Sequence, residues 1–223
     1  MSNVEEFPAV EYASEDGLLA LGGDLSPERL MLAYSKGIFP WYNPGEPILW
    51  WSPNPRCVIF PDHYRPSRST RRSVRKHGFT FSFDHCFENV IRQCASPRQS
   101  APGTWITQDM NTAYTQLHHL GFAHSVETWK DGELVGGLYG IAMGKVFFGE
   151  SMFSTVSDAS KAALAWLIAA LAEWGYALVD CQITSDHLLS LGAEEIPRQE
   201  FVSILEASGA TPGNRGRWEI MES

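Results

Sequence analysis

Asp180 and Gln182 stand two residues apart in the run YALVDCQIT, 176–184. The run reads as a β-strand, in which alternate residues share a face. A carboxylate and an amide are thereby presented together, with Val179 and Cys181 on the opposite face. Both polar groups are costly to bury unpaired. They therefore belong either to a functional face or to a buried Asp–Arg or Asp–backbone contact. Glu150 closes the run VFFGE, 146–150, and can stand at the sheet edge near Asp180. Taken alone, two carboxylates so placed also fit a hydrolase that works with a carboxylate pair.

Two further segments carry ligand chemistry. GIFPWYNPGEPILWWSPNPR, 37–56, holds three of the eight tryptophans, Trp41, Trp50 and Trp51, among five prolines. Proline removes backbone donors and fixes φ, so no ordinary helix or central strand passes through it. A flat aromatic on such a loop either folds back onto a core or offers its face to a ligand such as a base. The second segment is basic. The chain has 17 Lys and Arg against 26 Asp and Glu, yet six of the 17 are Arg65, Arg68, Arg71, Arg72, Arg75 and Lys76. No carboxylate lies between Asp62 and Asp84. Arg68, Arg71, Arg72 and Arg75 fall on one helical face. Such segregation fits either a solvated helix face or a patch that contacts phosphates.

Absences narrow the classes. Among 19 glycines no GxG occurs, which excludes a dinucleotide fingerprint, a P-loop and the usual pyrophosphate loop of coenzyme A acyltransferases. There is no GxSxG elbow. His118, His119 and His124 lack a carboxylate companion at metal-site spacing, so they are expected to be solvated or capping residues, and no metal or cofactor is expected. The four cysteines, Cys57, Cys86, Cys94 and Cys181, show no CxxC spacing and read as reduced thiols. No apolar run is long enough for a membrane span, and the start of the chain has no signal pattern. A cytoplasmic protein is expected, and a monomer, since no heptad or apolar stripe points to a dimer.

The elements that must position these residues are set by caps and periodicity. Asp24 or Ser26 starts a helix that Gly37 stops. RCVIF, 56–60, is a short strand. Ser67 or Ser69 caps the basic helix and Gly78 ends it. FTFSF, 79–83, alternates as a strand; 84–95 and 107–120 are helical. Residues 122–130, 133–143 and 146–150 make a three-stranded meander whose first turn, Asp131-Gly132, is a two-residue hairpin signal. Ser157 or Asp158 caps a long helix to about Trp174. The strand with Asp180 comes next, then helices near 185–191 and 197–207. This is an α+β layout, helices on a mostly antiparallel sheet, with the softest domain boundary near 56–66.

GLLALGGDLSPERL, GIFPWY, LWWSPNPR, GTWIT, AYTQLHHLGFAHSVETW, GGLYGIAMGKVFFGESMFS and DCQITSDHLLSLGAEEIPR occur in that order. Together they closely resemble the bacterial leucyl/phenylalanyl-tRNA–protein transferase family, over about residues 17–205. The resemblance implies a small N-terminal α+β domain with the tryptophan loop, here 1–60. A GNAT-like aminoacyltransferase domain that uses no coenzyme A would occupy 61–223. It implies transfer of Leu or Phe, less readily Met, from aminoacyl-tRNA to an N-terminal Arg or Lys of a protein, marking it for N-degron degradation. By the same resemblance, Trp41 and Trp105 would stack the donor's 3′-adenosine. Glu150 and Asp180 would hold the basic acceptor terminus, with Asp180 and Gln182 the catalytic pair. Leu138, Phe147, Leu164, Leu167, Leu171 and Val179 are the candidates for the aminoacyl side-chain socket. Family members often carry aromatics where Leu167 and Leu171 stand, a departure that leaves the socket's shape and the Leu-to-Phe preference open. The 65–76 cations would contact tRNA phosphates.

Overall fold

The structure, a computed structural model, describes residues 6–96, 106–209 and 218. The chain opens with β1 (Leu18–Leu21), α1 (Pro27–Ser35), β2 (Phe39–Pro40) and β3 (Leu49–Trp51), the strands forming an antiparallel sheet in the order β1-β3-β2. Helix α1 begins where its sequence asks: Pro27 takes the first position and the Ser26 hydroxyl accepts from the Arg29 amide. Next come β4 (Arg56–Ile59), α2 (Arg68–His77), β5 (Thr80–Phe83), α3 (Phe87–Ala95), α4 (Gln108–His119), β6 (Ala123–Lys130), β7 (Glu133–Met143) and β8 (Val146–Ser154). The chain continues through α5 (Ala159–Glu173), β9 (Leu178–Gln182), α6 (Asp186–Ser190), β10 (Glu194–Ile196) and α7 (Arg198–Ala207).

Seven strands make the larger sheet, in the order β10-β4-β9-β8-β7-β6-β5. Every neighbouring pair is antiparallel except β8 and β9. The α+β layout expected from the sequence is therefore present. Strand β4 pairs with β9 and β10 of this sheet, so residues 56–59 belong structurally with the larger, C-terminal part of the chain.

The sheet separates two apolar layers. On one face α1, α3, α4 and α7 bury Leu30, Tyr34, Phe87, Ile91, Tyr114, Leu117 and Phe201. On the other lies α5, whose alanines permit close approach. A Cβ on Gly136 of β7 would stand 2.5 Å from the Cβ of Ala159, so the glycine lets helix and sheet meet. Asp158 sits at the N-terminus of α5, as its sequence predicts, but its carboxylate makes no cap. It takes the left-handed conformation (φ 64°) and reaches Lys161, while Ser154 accepts from the Ser160 amide.

Candidate functional site

Strands β8 and β9 run parallel through only three pairs: Val146 with Leu178, Phe147 with Val179, and Phe148 with Asp180. Past Phe148 they no longer pair. The long strand β8 continues to Ser154, beyond the end at Glu150 expected from sequence, bending where its register with β7 shifts between Tyr139 and Gly140. A cavity of about 270 Å³ opens in the gap. Leu138, Phe147, Leu164, Leu167 and Val179 form its apolar wall; Glu150 and Gln182 stand at its polar side. Five of the six residues expected in an apolar socket are thus brought together. Leu171 is buried in the same cluster but does not line the cavity.

Glu150 collects hydrogen bonds from three elements. The Tyr34 hydroxyl of α1 donates to it at 2.6 Å, the Tyr114 hydroxyl of α4 at 3.2 Å and the Gln182 side-chain amide at 3.0 Å. The two tyrosine oxygens are 2.5 Å apart. Burial pushes the Glu150 carboxyl up to about 7, against the lowering effect of the tyrosine hydroxyls. It therefore changes charge near neutrality. Neither tyrosine stands out in the sequence, where Tyr34 reads only as part of the apolar face of α1.

Asp180 has the opposite surroundings. Its Oδ1 and Oδ2 accept from Nε and a terminal nitrogen of Arg56 at 2.8 and 2.6 Å, and both side chains are fully buried. Arg56 also donates to the Gly37 carbonyl and lies over the rings of Phe201 and Phe39, at 4.5 and 5.0 Å. Asp180 lines neither of the cavities around Glu150. Of the two options left by the sequence, the buried Asp–Arg pair is the one found, and the acceptor-holding part expected of Asp180 has no exposed carboxylate to perform it. What Asp180 does reach is the backbone of Gln182, whose N–H donates to Oδ1 at 2.9 Å. Gln182 has a φ of 66°, a conformation disfavoured for a residue with a side chain. The buried carboxylate holds that turn, which brings the amide to Glu150. Arg56 closes the motif LWWSPNPR, but its pairing with Asp180 is not legible there, since the partner is 124 residues away.

The tryptophan loop divides its rings. Trp50 is buried, its indole N–H donating to the Gly22 carbonyl. Trp51 is half-buried and donates to the Trp41 carbonyl at 2.7 Å. Trp41 itself is 41% exposed, and with Phe39, Pro40, Glu150, Cys181, Gln182 and Ile183 it lines a second cavity of about 180 Å³. Glu150, Cys181 and Gln182 belong to both cavities. Trp105 lies outside the described residues.

The basic helix forms as its sequence predicts, with Ser67 accepting from the Thr70 amide and Gly78 ending it in the left-handed conformation. Thr70 and Ser73 face inward. Arg65, Arg68, Arg71, Arg72, Arg75 and Lys76 are all exposed, and none of the six forms an ion pair among the described residues. His124, expected to be solvated or capping, is instead buried against Asp84, with burial lowering its pKa.

The family model described as "Leucyl/phenylalanyl-tRNA protein transferase" matches residues 58–206, and the model of that family's N-terminal domain matches residues 23–54. The chain belongs to the leucyl/phenylalanyl-tRNA–protein transferase family. Curated relatives of that name agree along almost the whole chain. The one from Cellvibrio japonicus is 58% identical over 202 residues, 90% of this chain and 86% of its own length. That from Methylococcus capsulatus is 54% identical, over 96% of this chain and 92% of its own. The Aromatoleum aromaticum relative is 57% identical, over 96% and 91%. Among solved structures, L-PGS from Bacillus licheniformis aligns with a TM-score of 0.41 at 14% identity, covering 72% of this chain and 52% of its own. A GCN5-related N-acetyltransferase-like protein from Streptococcus suis aligns at 0.37 and 15%, covering 72% and 59%. These two likenesses are too distant to say anything about the transferase site.

Proposed function

We propose that this chain transfers Leu or Phe, less readily Met, from aminoacyl-tRNA to the N-terminal Arg or Lys of a protein, marking it for N-degron degradation. Aminoacyl transfer from tRNA to protein is what the relatives' shared name describes. The observation that carries the finer reading is the divided site: a cavity of about 270 Å³ with an apolar wall shares Glu150 and Gln182 with a second cavity walled by exposed Trp41. The first takes the carried Leu or Phe. The ester then lies at the shared residues, with the terminal adenosine stacked on Trp41 and, in the same reading, on Trp105. Base stacking on an aromatic is worth on the order of 1–3 kcal/mol. We read residues 61–223, with strand β4, as a GNAT-like acyltransferase unit acting in the cytoplasm as a monomer, without a cofactor.

In the reaction the neutral α-amine attacks the ester carbonyl carbon. A C–N bond forms, the bond to the ribose oxygen breaks, and the proton lost by the amine ends on that oxygen. The ester is already activated, so alignment is the main requirement, and positioning supplies up to about 7–11 kcal/mol. Glu150, as carboxylate, attracts the cationic end of the acceptor. One N–H of the Gln182 amide is held by Glu150, which leaves its second N–H for the ester carbonyl and its oxygen for the amine. Asp180 acts one step back, by fixing the Gln182 turn. The α2 cations supply tRNA phosphate contacts.

The test uses radiolabelled Leu-tRNA with peptides led by Arg or by Ala. Label is expected in the Arg-led peptide only. Label in both, or in neither, would overturn the acceptor rule or the activity respectively.

A further inference from the structure

Trp218 lies 11 residues beyond the end of α7, in a stretch of sequence with no periodic pattern, yet it is 4% exposed. Its ring stacks on His124 at 4.0 Å between centroids and 9° between planes. Trp174 and Phe83 meet it edge-on at 5.0 and 5.4 Å. Its backbone N–H donates to Asp84 Oδ2 at 2.7 Å, and the same oxygen holds His124 Nδ1 at 2.8 Å. Two unlike restraints, a ring stack and a backbone bond to a buried carboxylate, thus fix one residue at the back of the core.

The ring at that back wall is Phe147, whose centroid is 5.7 Å from that of Trp218. Phe147 is fully buried and lines the apolar cavity. It lies over β7 because position 140 is glycine: a Cβ there would come within 2.7 Å of the Phe147 ring. Phe147 is therefore confined by β7 on one side and by the indole of Trp218 on another, while the cavity occupies a third. Interiors are packed densely enough that removing one ring gives its neighbour room to move.

We propose that Trp218 sets the depth of the aminoacyl side-chain socket by holding Phe147 in place. The inference rests on reading that cavity as the socket. Trp218 is a positioning residue here, since it touches no substrate. Without the indole, Phe147 relaxes backward and the socket deepens, which favours the longer Phe side chain over Leu.

The measurement is kcat/KM for Phe-tRNA and for Leu-tRNA with an Arg-led peptide, in wild type, Trp218→Ala and Trp218→Phe. Alanine is expected to raise the Phe-to-Leu ratio about tenfold or more, within the range a methylene-sized change in a pocket produces. Phenylalanine should stay within about twofold of wild type, and the KM for the peptide should not move in either. If the alanine variant does not fold, Trp218→Leu replaces it, paired with Phe147→Leu in a double-mutant cycle. Non-additive ratios are then expected. A folded Trp218→Ala with the wild-type ratio, or additive effects in the cycle, overturns the proposal. Absence of transfer of either amino acid by wild type would instead remove the socket reading, and this inference with it.

Discussion

Two carboxylates on neighbouring strands of one sheet have opposite surroundings. Asp180 on β9 is matched by the guanidinium of Arg56 and sealed from solvent. Glu150 on β8 meets only neutral donors, two tyrosines and an amide, and borders both cavities. A buried charge with its counter-charge is a structural strut. A carboxylate held by neutral donors still has a negative charge to offer an incoming cation. Sequence spacing treats the two alike, and only the neighbours separate them.

The sharpest way to break this comparison is to neutralise each in turn. Asp180→Asn leaves Arg56 buried without its partner, which is expected to cost about 3–5 kcal/mol of stability. Chemical denaturation reads this, and a loss under about 1 kcal/mol would end the strut interpretation. Glu150→Gln should reverse the pattern. Losing one charge-assisted contact to the acceptor is worth about 1.5–3 kcal/mol, roughly a ten- to hundredfold rise in peptide KM. The folded protein should lose little. With its carboxyl at about 7 rather than the ordinary 4.5, wild-type Glu150 binds protons more tightly folded than unfolded. Stability should therefore fall as pH rises from 4.5 to about 7, and the glutamine variant should lack that decline. Transfer by wild type should rise through the upper end of the same window as the carboxylate forms, and the variant should lose this limb while keeping any limb set by the acceptor's own amine.

Smaller effects sharpen the comparison at the donor side. Trp41→Ala should weaken donor tRNA binding by about 1–3 kcal/mol with the peptide KM unchanged, and Trp41→Phe should recover most of it. Equal effects on both substrates would show that the ring supports the loop rather than a base. Arg71→Ala with Arg72→Ala should have the least effect at low salt. Each lost phosphate contact lowers the salt slope of tRNA binding by about 1. An unchanged slope, measured with full-length tRNA, would leave α2 as a solvated face.

Much of the fold is legible in the sequence because its signals are local. Ser26 with Pro27, Ser67 with Gly78, and Asp131-Gly132 each act within a few residues, and the helices and hairpin form where those residues stand. The short strands β1, β2, β3 and β10 escape such a reading, whereas β4 and β5, no longer than β1, are legible from the apolar run RCVIF and the alternation of FTFSF. Five residues of the apolar cavity wall are legible because each lies on the apolar face of a periodic element. Tyr34, Tyr114 and Arg56 are not, because each acts through the polar tip of a side chain that otherwise reads as core or as strand. His124 of the buried Asp84–His124 pair reads as a solvated or capping residue for a different reason: it is polar, and the carboxylate that lets it be buried is 40 residues away.

By itself the sequence determined the family, the order of the main elements, the position of the basic helix and which residues are apolar enough to make a socket. Tertiary structure decided which carboxylate is spent on an arginine, which of three loop tryptophans keeps an open face, and that Trp218 packs behind Phe147. The first group depends on spacings of a few residues, where backbone geometry alone relates one side chain to the next. The second depends on contacts between residues as much as 134 positions apart, and such contacts exist only once the sheet has set its strand order and two parallel strands have parted.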